Sequence, residues 1–72
     1  MDDSLHAARA VFQQRFQDLA TQFRQNYAAW QEAVRVHDRP RQSALIRCEG
    51  ALLTEAQEVM AAYQATIAQH HG

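Results

Sequence analysis

Three observations predict an all-α fold, an antiparallel two-helix hairpin with long coiled-coil-like helices. Apolar residues recur at three- and four-residue steps from Leu5 to Val36, and again from Leu45 to Ile67. The first stretch contains neither glycine nor proline. The single proline falls between the two stretches, in His37-Asp38-Arg39-Pro40. Residues 1–72 therefore read as one helical-hairpin domain, with helix one over about 4–36, a turn at 37–40 and helix two over about 40–69.

Helix one opens after Asp2, Asp3 and Ser4, whose side-chain oxygens suit the unsatisfied amides and the positive end of a helix start. Its seam is aromatic. Leu5, Phe12, Leu19 and Ala33 repeat at sevens, and Phe16, Phe23, Trp30 and His37 form an offset row on the same face. Arg9 and Asn26 interrupt this seam, and Tyr27 and Val34 widen it beyond a strict two-position stripe. At ~1.5 Å per residue the helix is roughly 50 Å long.

In the turn, Asp38 is the expected cap of helix two. Pro40 disfavours helical geometry at Arg39, but its missing amide is harmless in a first helical turn. So short a connection makes the two helices antiparallel neighbours.

Helix two carries the stripe Leu45/Ile46, Glu49, Leu52/Leu53, Ala56, Val59/Met60, Tyr63, Thr66/Ile67 and His70. Antiparallel pairing brings Trp30 near Ile46, Tyr27 near Gly50, Phe23 near Leu53, Phe16 near Met60 and Phe12 near Ala65. Asn26 and Glu49 fall at similar heights and are positioned to hydrogen-bond each other. Gly50 has two readings. A tolerated helix glycine would admit Tyr27 or Trp30, at a cost of about 1 kcal/mol relative to Ala. A helix end there would leave Thr54-Glu55-Ala56-Gln57 as the capping box of a third helix. The second would place Ala51, Leu52 and Leu53 in a loop, so the continuous helix is preferred.

Composition narrows the function classes. A chain of 72 residues with a formal charge of −1 has no strong field for nucleic acid or an acidic membrane. Cys48 alone builds neither a disulfide framework nor a multi-cysteine metal knot, and a small part-buried apolar role is expected of it. No apolar run spans a membrane and the N-terminus lacks signal-peptide features, so a cytoplasmic location is expected. His6, His70 and His71 meet at the open end of the hairpin, near Asp2 and Asp3. Without His-x3-His or Glu-x-x-His spacing they are read as solvated, and no metal or cofactor is expected. The scattered Ser, His and acidic residues assemble no triad, and there is no glycine-rich phosphate loop, so no enzyme is expected.

What remains is association, because two helices packed as one pair hide only one flank of each. The expected completion is a helical bundle formed by dimerisation or by a partner helix. The expected partner-binding residues are Phe12, Phe16, Phe23, Tyr27, Trp30, Val34, Leu53, Met60 and Ile67. The alternative is a dimeric nucleic-acid-binding regulator using Arg35, Arg39, Arg41 and Arg47 around the turn. In length and layout the chain resembles two unrelated kinds of small helical hairpin: plasmid copy-number regulators that dimerise and bind RNA, and co-chaperones of secretion-needle subunits. The likeness is one of shape and implies a hairpin, not a family.

Overall fold

The computed structural model describes residues 3–71, with side chains described for 5–70. Two helices, α1 (Asp3–Arg35) and α2 (Arg39–His71), pack along their length as an antiparallel hairpin measuring 55 × 15 × 9 Å. The capping expected of Asp2, Asp3 and Ser4, and the places of His71 and Gly72, lie outside the described side chains.

The turn is a Schellman closure followed at once by an N-cap. The His37 amide donates to the Val34 carbonyl at 3.1 Å and the Asp38 amide to the Ala33 carbonyl at 2.9 Å, with His37 in the left-handed region at φ 59°. This conformation is usually supplied by glycine, because a Cβ crowds the following carbonyl. Asp38 then starts α2. Its carbonyl accepts from the Gln42 amide at 3.0 Å, and its Oδ1 accepts from the Arg41 amide at 3.1 Å. Arg39 is helical despite preceding Pro40, one position earlier than the sequence suggests. The cap at Asp38 fixes the first turn, and the missing proline amide is one of the donors left unbonded there anyway.

The core is narrow. Leu19, Ala33, Leu52 and Val59 are the fully buried apolar side chains among the described residues, with Phe12, Phe16, Phe23 and Ala56 packed half-buried around the Leu19–Leu52–Val59 cluster. On α2 the inward row is Leu45, Leu52, Ala56, Val59 and Tyr63. On α1 it is Leu5, Ala8, Phe12, Phe16, Leu19, Phe23, Asn26, Trp30 and Ala33. The α1 row alternates threes and fours except at Ala8–Phe12–Phe16, where two fours follow each other and the helix locally departs from the heptad. Tyr63 occupies the wider gap this opens. Its ring meets Phe12 edge-on at 5.2 Å between centroids and Phe16 at 6.2 Å.

Three seam assignments are corrected, the first of them by this shift in step. Arg9 is exposed and Ala8 takes its place, which spares the core an unpaired guanidinium. His37 leaves the aromatic row for the exposed turn, and Glu49 is exposed at the rim of the seam. Asn26 does not bond to Glu49. Its Nδ2 instead donates across the interface to the Leu45 carbonyl at 3.1 Å, half-buried.

Gly50 lies in an unbroken helix, so the reading with a third helix is excluded. Thr54, its would-be cap, donates its hydroxyl back to the Gly50 carbonyl at 3.1 Å, as hydroxyls do within a helix. The packing reason offered for the glycine is also corrected. A Cβ built there meets nothing within 4 Å, so neither Tyr27 nor Trp30 uses the space.

Candidate docking surface

Each helix shows an apolar row beside its buried seam, and the two rows share one flank. On α2 the row is Ile46, Leu53, Met60 and Ile67, spaced by sevens. On α1 it is Ala20, Tyr27 and Val34, with the same spacing. Both follow directly after an inward-facing row and so occupy the position next to the seam, which in an antiparallel pair faces its counterpart on the same side. The groove lined by Asn26, Tyr27, Trp30, Leu45, Ile46 and Glu49 shows this directly, joining the two rows near the turn.

The exposures show how far the flank stands open. Tyr27 and Ile46 are each 58% exposed, Leu53 52% and Met60 47%. Single exposed apolar residues are ordinary, but Ile46, Leu53 and Met60 form a regular row along α2, and Tyr27 meets that row near the turn. Tyr27 stacks on Trp30 with centroids 6.2 Å apart and 18° between planes, which fixes the orientation of both rings at the groove mouth. The groove near the turn has a volume of about 250 Å³. The opposite flank differs in character, carrying Arg15, Gln22, Cys48, Glu55 and Ala62 beside the seam. Cys48 is exposed there, against the expectation that it is partly buried.

The residues expected to bind a partner divide accordingly. Phe12, Phe16 and Phe23 are largely engaged inside the hairpin, although Phe12 and Phe16 still line a shallow groove with Arg9, Gln13 and Ala20. Tyr27, Val34, Leu53 and Met60 are exposed, and Trp30 and Ile67 half-buried. Leu52 and Val59 are the buried residues in the cluster that Phe16 and Phe23 pack against, while Leu53 and Met60, expected near those rings, are exposed. Ile46 was absent from the expected partner-binding residues. Its spacing by sevens to Leu53 and Met60 is the signal that finds it.

The arginines near the turn do not form one face. Arg35 is tied to Glu32, its Nε donating to Oε2 at 2.9 Å with a second bond from Nη2 to Oε1. The pair holds the Glu32 carboxyl below its ordinary range and raises the Arg35 guanidinium. Arg39 and Arg41, two residues apart at the start of α2, point to different sides of it, and Arg47 lies along a further face. Among the described residues no group of three or more His, Cys, Asp or Glu side chains converges, and no helix is long and apolar enough to cross a membrane.

Comparison with protein-family models, with curated proteins and with solved structures found no match. The fold and surface define a helical hairpin with one apolar flank, and the functional reading rests on that geometry.

Proposed function

We propose that this chain is a non-enzymatic protein–protein interaction module, an adaptor, chaperone or regulator that buries amphipathic helix against its apolar flank. The observation that carries the reading is the apolar row Ile46–Leu53–Met60 exposed along α2, joined near the turn by Tyr27 and Val34 of α1 on the same flank. Helix-in-groove recognition uses anchors one or two turns apart on such a surface, and Tyr27 and Trp30 are the residue types that concentrate binding energy. A cytoplasmic setting agrees with the free thiol of Cys48. The nucleic-acid alternative has less support, since Arg35 is neutralised and Arg39, Arg41 and Arg47 diverge.

Thiol labelling in intact cells tests the reading. Single cysteines at position 53 or 60, in a Cys48→Ser background, are expected to react with a maleimide at least ten times more slowly than Cys48 itself on the opposite flank. Equal rates on the two flanks would show that nothing docks there.

A further inference from the structure

The docking reading leaves open what covers the flank, and four features of the chain point to the same occupant. The first is area. A compact monomer of 8.2 kDa exposes about 4,500 Å² by the usual scaling of surface with mass, whereas this hairpin exposes 5555 Å². The excess of about 1,000 Å² matches the ~800 Å² per partner of a standard stable interface.

The second is shape. One groove, lined by Leu53, Ala56, Gln57, Met60, Ala61 and Gln64, lies wholly on α2. Another, formed by Arg9, Phe12, Gln13, Phe16, Gln17 and Ala20 with Tyr63, lies almost wholly on α1. Each helix therefore presents a strip of its own. A lone helix seated between them would leave the outer part of both strips in water. Two joined antiparallel helices cover both, and this chain supplies that unit at the matching length of 55 Å.

The third is self-complementarity. An interface across a two-fold axis is the same patch on both subunits, so its polar groups must tolerate their own kind. The charged residues lining the three grooves are Arg9 and Glu49, of opposite sign and far apart along the hairpin. The remaining polar lining is side-chain amide, Asn26 with Gln13, Gln17, Gln57 and Gln64, together with the Tyr27 and Tyr63 hydroxyls and the Trp30 indole N–H, and both amides and hydroxyls donate and accept.

The fourth is Gly50. A glycine inside a helix costs about 1 kcal/mol relative to Ala, and nothing in the hairpin uses its vacancy. It lies four residues after Ile46 and three before Leu53, hence between them on the apolar flank. A missing side chain there allows a neighbouring helix to approach closely.

We propose that the flank is covered by a second copy of this chain, two hairpins closing into a four-helix bundle with closest approach near Gly50. The proposal rests on the docking reading above and names its occupant. Sedimentation equilibrium of the purified full chain from 1 to 200 µM is expected to give twice the 8.2 kDa chain mass. The thermal midpoint should rise with concentration, because only the dimer gains from association.

Gly50→Leu and Leu53→Glu are expected to weaken dimerisation by about 100-fold or more, through bulk in the first case and a buried unpaired carboxylate in the second. Gly50→Leu keeps the test clean, since the hairpin has open space for the side chain and leucine favours helix. Ala62→Glu, on the opposite flank, should leave the dimer intact. A monomer at every concentration overturns the proposal, and so does a dimer indifferent to both flank variants. In the monomer case, slow labelling of positions 53 and 60 in cells would keep the docking reading with another protein as occupant, while fast labelling would remove both.

Discussion

At the scale of single residues, the hairpin depends on a few side chains around the turn and the centre of the seam. Asp38 caps α2 through one bond to the Arg41 amide. Asp38→Ala is expected to lower the unfolding free energy by about 1 kcal/mol, read as a reduced urea midpoint. His37 holds a left-handed conformation at φ 59° that glycine adopts without crowding. His37→Gly should therefore raise the unfolding free energy by up to about 1 kcal/mol, read as a higher urea midpoint. The two substitutions shift stability in opposite directions although the residues are adjacent in the same turn. The Glu32–Arg35 pair responds to pH with a definite sign. The fold lowers the carboxyl pKa, so its contribution is complete above the unfolded-state value and disappears as pH falls through the lowered one. Between neutral and strongly acid pH, Glu32→Gln should lose less of its thermal midpoint than the unaltered chain. Both side chains of the pair are exposed, which keeps the difference small.

At the scale of the helix, each element is decided by which of its apolar rows turns inward. Val59 is buried at 1% exposure, while Met60 beside it is 47% exposed. Val59→Ala removes packed methyl groups from the Leu19–Leu52 cluster and is expected to destabilise by about 2 kcal/mol, read by chemical denaturation. Met60→Ala in a monomeric background removes little that the hairpin uses and should cost well under 1 kcal/mol. Gly50 behaves as an element-scale weakness. In the monomeric Leu53→Glu background, Gly50→Ala should stabilise α2 by up to about 1 kcal/mol, because its Cβ enters open space. Two part-buried bonds tie the helices in register near the turn, from Asn26 to the Leu45 carbonyl and from Gln42 to the Ala33 carbonyl. If Asn26→Leu leaves stability, oligomeric state and partner choice unchanged, the Asn26 bond has no part in specifying them.

At the scale of the whole molecule, a 55 Å hairpin with four fully buried apolar side chains among its described residues has a thin interior for its length. Association supplies the rest of the core in the reading advanced here, and apolar docking has a salt signature. Raising salt screens charge but does not weaken hydrophobic burial, so the dimer should persist from 0.1 to 1 M sodium chloride. A contact made by arginines to phosphate would weaken steeply over the same range. The radius of gyration is the corresponding shape test. The single hairpin has a Cα value of 16.6 Å, and a second hairpin laid alongside changes thickness far more than length.

Hairpin and surface were legible in the sequence to different degrees. The two helices, the turn and the cap at Asp38 follow from local chemistry: period, proline and a side-chain oxygen each act within a few residues. The apolar flank residues Tyr27, Val34, Leu53 and Met60 were also visible, because their spacing makes the stripe too wide for one partner helix. The choice among adjacent apolar residues was not. Leu52 against Leu53 and Val59 against Met60 differ by one position and are similar in hydrophobicity, so only the azimuth of the facing helix separates core from surface. Ala8 and Arg9 differ in polarity, and there a strict seven-residue repeat counted back from Phe16 and Phe23 is what points to the wrong residue. The extra four-residue step between Phe12 and Phe16 turns the start of α1, and it is Tyr63 from the other helix that occupies the gap. Sequence by itself determined the elements and the width of the apolar stripe, since both arise from short-range pattern. Tertiary structure decided which flank stays open and that Gly50 lies unused upon it, because those are properties of two helices meeting at a particular angle.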